Sequence, residues 1–169
     1  MSQVYFISDL HFEHDYLIRN LRNMDPREHD QLIIDNWNNI ITKKDTVYLL
    51  GDITFEKPEI IIKYLSKLNG QIRIIGGNHD TRECCNIITQ LKIPILGCMA
   101  YKGYIVSHLP IHPSELQYGW RGNIHGHTHG NCINDSRYYN VSCEMINYTP
   151  KLFTEIDEEI QTAKMTSYE

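Results

Sequence analysis

Five short fragments of this 169-residue chain carry side chains suited to metal and proton chemistry: Asp9-Leu10-His11, Gly51-Asp52, Gly77-Asn78-His79-Asp80, Ser107-His108 and Gly126-His127-Thr128-His129. Carboxylate, imidazole and amide oxygen donors together suit borderline divalent transition metals such as Mn²⁺, Fe²⁺ or Zn²⁺. None of the fragments contains a cysteine, which argues against a structural zinc site. Alone, each fragment is weak: a Gly-Asp is often a turn, and a lone histidine is more often a satisfied core residue than a ligand. Their conjunction carries the signal, provided the fold brings them to one place.

The intervening sequence reads as the elements that would do so. Val4 to Ser8, Thr46 to Leu50 and Gln71 to Ile75 are short β-rich apolar runs, each ending at one of the first three fragments. Between them lie an amphipathic helix from about Asp30 to Ile41, with Asp30 a candidate cap, and a helix from Pro58 to Leu68. This β-α-β-α-β order predicts parallel strands with ligands beyond their C-terminal ends. A short helix is expected over Cys85 to Leu91. The second half predicts strands without helices between them: Leu96 to Tyr101 and Tyr104 to Ser107 as a hairpin, then Asn123 to His125, Tyr138 to Ser142 and Lys151 to Ile156. That pattern suggests a second, more antiparallel sheet. One domain over residues 1–156 and a polar C-terminal tail over 157–169 is the economical division.

In their order the five fragments resemble the signature of the calcineurin-like metallophosphoesterases: Asp-x-His, Gly-Asp, Gly-Asn-His-Asp/Glu, His, Gly-His-x-His. The match spans Asp9 to His129. Flanking stretches such as Ser8-Asp9-Leu10-His11-Phe12, Asn36-Trp37-Asn38 and Asn147-Tyr148-Thr149-Pro150 are similar to the small bacterial and phage phosphoesterases of that superfamily. The resemblance implies an α/β fold, a four-layer αββα sandwich of two mixed sheets flanked by helices, with the metal site at the strands' C-terminal edge. It implies two divalent metal ions, Mn²⁺ first, with Fe, Zn or Ni as alternatives. One would be held by Asp9, His11, Asp52 and His129, the other by Asp52, Asn78, His108 and His127. Asp52 would then bridge, which calls for an acid. His79 would face the substrate and bond the phosphate or protonate the leaving oxygen. Asp80 would orient His79, or serve as a turn acid or helix cap.

The implied reaction is hydrolysis of a small or accessible phosphoester by in-line hydroxide attack on phosphorus. The interval from Asp80 to His108 and the chain after His129 are short, so the site should be open, and a nucleotide or cyclic-nucleotide diester is favoured. A phosphomonoesterase acting on nucleotides or small phosphorylated metabolites is the alternative. From another class, a non-catalytic scaffold on the same fold is disfavoured because every ligand and His79 are kept. The Asn78-His79 pair argues against a two-metal hydrolase of another bond type.

Other residues are candidates for substrate contact. His14 stands three residues beyond His11 and could reach over the site. Trp120 and Tyr118 could stack a base, and Arg22, Arg82 or Arg121 could clamp phosphate, although surface roles are favoured for these. His125, alternating with His127, is either a support behind the ligands or a packed strand residue; His29 and His112 read as surface or local hydrogen-bonding residues. With 41% hydrophobic and 22% charged residues the composition is that of an ordinary folded domain. A net charge of −5 does not suit tracking of extended duplex nucleic acid. Five cysteines, an odd number without regular spacing, predict free thiols. No membrane span or leader is read from the sequence, so a cytoplasmic location is expected, the host's cytoplasm if the chain is phage-encoded.

Overall fold

Val4–Ile7 is β-branched or aromatic along its whole length and is buried at Phe6 and Ile7, so its stable place is the interior of a sheet. In the structure, a computed structural model that describes residues 2–166, this segment is strand β1. It pairs in parallel with β2 (Thr46–Leu49), which pairs in parallel with β3 (Gln71–Ile75), and that in turn with β4 (Ile95–Leu96). The other edge is closed by antiparallel β9 (Lys151–Leu152), giving the order β4-β3-β2-β1-β9. The second sheet has the order β5-β6-β7-β8, from Cys98–Tyr101, Tyr104–Ser107, Gly122–His125 and Tyr138–Asn140. Only β5 and β6 are antiparallel there; β6, β7 and β8 run parallel. The expected antiparallel second sheet is therefore corrected to a mixed one. A 3-10 turn over Pro113–Tyr118 helps β6 cross over to β7, a connection too irregular to show helical periodicity.

The helices are α1 (Asp15–Asn20), α2 (Pro26–Ile40), α3 (Glu59–Leu65), α4 (Arg82–Gln90) and α5 (Phe153–Thr166). Helix α2 starts earlier than its apolar spacing suggested. Asp25 caps it, accepting the Arg27 N–H at 2.9 Å, and Pro26 occupies the first turn, while Asp30 is an interior, buried position. The strand expected over Lys151 to Ile156 and the tail expected from residue 157 are corrected too: the strand ends at Leu152 and a helix follows. Phe153, Ile156 and Ile160 recur at helical spacing and are 5%, 0% and 2% exposed, so α5 belongs to the domain core. Residues 167–169 of that expectation lie outside the described residues. Among the described residues no helix is long and apolar enough to cross a membrane.

Two mixed sheets flanked by helices result. The sheets meet through aromatic rings: Phe6 lies 5.3 Å from Tyr48 and 5.7 Å from Tyr101, and Tyr101 lies 4.9 Å from Phe153. Full burial of such a side chain contributes about 1.5–3 kcal/mol. At the strands' C-terminal ends the sheets are also stitched by backbone. Ser8 N–H donates to the Val141 carbonyl at 2.9 Å, and Cys143 N–H to the Ser8 carbonyl at 3.1 Å. That seam brings the loops after β1, β2 and β3 against those after β6, β7 and β8.

Candidate metal centre

Each of the first three fragments starts where a parallel strand of the first sheet ends, and His108 and Gly126 follow β6 and β7 of the second sheet directly. The chain must turn sharply there to aim side chains across the seam. Five of the seven expected ligands have a left-handed backbone: Asp9 (φ 59°), His11 (48°), Asp52 (53°), His127 (67°) and His129 (49°). This region is sparsely populated by non-glycine residues, and strain of this kind clusters at functional sites. Glycine makes the close approach possible. A Cβ on Gly126 would collide with the Ser8 hydroxyl, and one on Gly77 with the Asp52 carboxylate. Gly126→Ala should therefore push Asp9 out of place and weaken divalent-metal binding about tenfold or more; Mn²⁺ calorimetry with unchanged affinity would contradict this.

Two groups of donors result, each with ligand atoms within 4.8 Å of one another: Asp9, His11 and His129, and Asp52, His108 and His127. Asp9, His11, Asp52 and His108 are buried, between 0% and 3% exposed. Asp52 joins the groups, its Oδ2 lying 3.8 Å from His11 Nε2 and 3.4 Å from His108 Nε2. Asn78 enters the second group through Oδ1, 2.9 Å from His108 Nε2.

The protonation pattern fits a cation. His108 Nδ1 lies 2.6 Å from the Leu50 carbonyl, which can only accept, so Nδ1 carries the hydrogen and Nε2 keeps its lone pair. That lone pair faces the Asn78 amide oxygen and the Asp52 carboxylate, a convergence of acceptors that repel unless a proton or metal ion lies among them. In the first group, Asp9 Oδ1 and both ring nitrogens of His11 are buried without a hydrogen-bond partner, a costly arrangement that coordination would relieve. Burial, with Arg22 nearby, holds the His11 pKa down at about 3, so the ring stays neutral as a ligand must. Burial opposes charge on both Asp52 and His108, but each outweighs it for the other, so the carboxylate pKa lies below and the imidazole pKa above its ordinary value; in the metal-free site a proton on His108 Nε2 stands where an ion would bind. The residues present fit two divalent ions.

His79 stands at the rim, its side chain 37% exposed and Nε2 4.0 Å from Asp52 Oδ2. Its backbone N–H donates to Asp52 Oδ1 at 2.9 Å, which ties the loop to the Asp52 carboxylate. Asp80 does not pair with the His79 ring among the described residues. Its carboxylate instead accepts the backbone N–H groups of Gly77 (2.8 Å), Asp52 (3.1 Å) and Ile53 (3.3 Å). The expected role of orienting His79 is thus corrected to fastening the loops after β2 and β3, the turn-acid reading. His14 does come close, its ring 5.5 Å from that of His11.

Arg121 and Trp120 are corrected as substrate contacts. They precede β7, whereas the ligands follow it, and four residues of strand separate the two ends by roughly 13 Å. Arg121 is engaged there by Asp157 at 2.7 Å and stacks over Tyr104. His125 is buried, with Nδ1 2.8 Å from the Gly126 carbonyl, as a packed strand residue. His29 is buried as well. Three contributors escaped the sequence reading. Ser142 donates to Asp9 Oδ2 at 2.9 Å, Glu144 accepts from His129 Nδ1 at 3.0 Å, and the ring of Phe55 lies 4.7 Å from that of His79. Position after β8 was the available signal for Ser142 and Glu144; Phe55 had none.

No protein-family model matches the chain. The uncharacterized protein MJ1445 of Methanocaldococcus jannaschii is 33% identical over 177 residues, which cover 98% of this chain and 95% of the archaeal one. The chain belongs to the family of that archaeal protein. The gene 66 protein of Mycobacterium phage L5 is 32% identical over 167 residues, covering 79% of this chain and 80% of its own. A solved structure with the same fold is the protein of unknown function AQ665 from Aquifex aeolicus. It superposes with a TM-score of 0.75 at 25% identity, covering 94% of this chain and 99% of that one.

Proposed function

We propose that this protein is a two-metal phosphoesterase, a hydrolase that prefers diesters bearing a nucleotide-like group. The observation that carries the reading is the position of Asp52, whose one buried carboxylate oxygen lies between the imidazoles of the two donor groups. Asp9, His11, Asp52 and His129 would hold one divalent ion, and Asp52, Asn78, His108 and His127 the other. Mn²⁺ suits this mixed carboxylate, imidazole and amide set, and Fe, Zn or Ni are tolerated alternatives. Bound there, the pair would supply positive charge for phosphoryl oxygens and make water acidic enough to act as a nucleophile near neutrality.

The chain supplies the rest. The carboxylates of Asp9 and Asp52 offset the cations' charge, and the tautomers of His108 and His129 turn a lone pair inward. His79, half-exposed at the mouth, is free to donate a proton to the departing ester oxygen or to bond a phosphoryl oxygen. Beside Asn78 and His108 a cleft of about 370 Å³ opens, lined also by Leu109 and Ile111, and admits the organic part of the ester.

The preference for an aromatic ester group is supported on the other side of His79. Phe55 is 54% exposed, its ring stacked on His14 at 4.9 Å and edge-on to His79 at 4.7 Å. An exposed ring beside the proton donor is a platform for a base or aryl group, and stacking contributes about 1–3 kcal/mol per base. Phe55→Ala should therefore lower kcat/KM for aryl and nucleotide esters about fivefold or more while leaving a methyl ester nearly unchanged. Equal losses on both would remove Phe55 from substrate recognition.

The reading as a whole is tested with metal-free protein reloaded with Mn²⁺ and given p-nitrophenyl phosphate, its bis ester and 2′,3′-cyclic nucleotides. Turnover of the bis ester and cyclic nucleotides is expected. Hydrolysis of the monoester alone would make the protein a phosphomonoesterase, and no hydrolysis with two metals bound would make it a scaffold.

A further inference from the structure

Beneath the first donor group lies a buried ionic assembly that touches neither the mouth nor the cleft. The side chain of Arg22 is 0% exposed. Its Nε donates to Glu144 Oε1 at 2.7 Å, Nη2 to the Asp9 carbonyl at 2.6 Å, and Nη1 both to the Leu10 carbonyl at 3.1 Å and to His29 Nε2 at 2.6 Å. Arginine can only donate, so His29 accepts with Nε2 and gives its Nδ1 hydrogen to Asp30 Oδ1 at 2.8 Å. Asp30 is held by the Tyr64 hydroxyl at 2.5 Å. Glu144 uses the oxygen that meets Arg22 to accept from His129 Nδ1 as well. Burial opposes its charge, but His129 and Arg22 prevail and hold the carboxylate pKa at about 2.

A fixed cation and a carboxylate inside a small domain cost several kcal/mol in desolvation each, and apolar side chains would often fill such a space more stably. The contacts show what the assembly does instead. Arg22 grips the carbonyls of Asp9 and Leu10, the two peptide groups that link the left-handed residues Asp9 and His11. Glu144 fixes the hydrogen of His129 on Nδ1, leaving the Nε2 lone pair on the side of Asp9 Oδ1, 4.0 Å away. Arg22 and Glu144 thus hold the Asp9 backbone and the His129 ring directly, and His11 through the backbone of its turn. Among the described residues, neither forms a hydrogen bond or ion pair with Asp52, Asn78, His108 or His127.

We infer that Arg22 and Glu144 are positioning residues for one metal site only, and that they make that site's affinity separately adjustable from its neighbour's. This rests on the two-metal reading above. A carboxylate behind a ligating imidazole orients the ring and raises its basicity, and loss of such a partner weakens metal binding about 10–100-fold.

Calorimetric titration of metal-free protein with Mn²⁺ separates the outcomes. The native chain should bind two ions, and fewer than two would defeat the metal reading itself. Glu144→Gln keeps an oxygen for Arg22 but removes the charge behind His129. It should weaken one site about 10–100-fold and leave the other at its native affinity. Two native affinities in this variant, or equal weakening of both sites, would overturn the inference while the two-metal reading stood. Arg22→Lys, whose single ammonium cannot span Glu144 and both carbonyls, should weaken the same site. If these variants do not fold, the native protein still decides: the ¹⁵N shifts of the His129 ring should report the Nδ1–H tautomer in the metal-free state, and an Nε2–H ring would refute the role of Glu144.

Discussion

Asp52→Asn should abolish phosphoester hydrolysis, with a loss on the order of 10³-fold or more, while the metal-free protein stays folded and melts somewhat below the native temperature. The two halves of this result have one cause. Asp52 is 1% exposed and lies between His11 and His108, so its negative charge is held chiefly by His108 without cations and is needed to offset them when they bind. Asparagine keeps the shape and an oxygen to accept the His79 N–H, now made to Asp52 Oδ1 at 2.9 Å. The fold therefore survives, but a neutral amide cannot offset two dications. Each ion contributes several kcal/mol to transition-state charge stabilisation, and every 1.4 kcal/mol is a factor of ten in rate. Native protein should gain thermal stability from Mn²⁺, about 2.7 kcal/mol at a hundredfold excess over Kd. The variant should lose most of that gain. A variant that still turned over at the native rate, or was stabilised by Mn²⁺ to the same degree, would remove Asp52 from the bridging position.

His79→Ala should separate catalysis from metal binding. The ring is at the rim and belongs to neither donor group, so two Mn²⁺ ions should bind with native affinity. The rate should fall about 10²–10⁴-fold, the usual contribution of a positioned general acid. The sign of the leaving-group dependence tests the role more closely than the size of the loss. An ester that releases p-nitrophenolate needs little help from a proton, so it should lose least. A nucleoside or alkyl ester releases a basic alkoxide and should lose most. A uniform loss across leaving groups would assign His79 to phosphate binding instead, and lost metal stoichiometry would make it a ligand.

The strand-then-ligand order was legible along the chain because it is local. A short apolar run ending in a donor fragment predicts both a parallel strand and the edge at which it stops, as at Val4–Ile7 before Asp9 and Thr46–Leu49 before Asp52. The donor types alone indicated metal chemistry, and the structure gathers all seven expected ligands without exception. Helix α5 was missed, read as a strand to Ile156 and a tail beyond, because the charged residues among Phe153, Ile156 and Ile160 masked their helical spacing.

Tertiary structure alone decided the rest. Arg22 and Glu144 are 122 positions apart, and no local pattern marks their pairing. Which end of β7 a residue occupies separates Arg121 from the site, although it stands only six positions before His127. Asp80 was placed in the right loop by sequence, but its partners are set by how the turn after β2 packs on the turn after β3. By itself the sequence determined which candidate donors lie at the strand ends and the chemistry such donors can support, since these depend on residue type and on short periodic signals. Only packing across the seam between the sheets decided which lone pairs face inward and which charges stand behind them, because those directions depend on contacts between residues far apart in the chain.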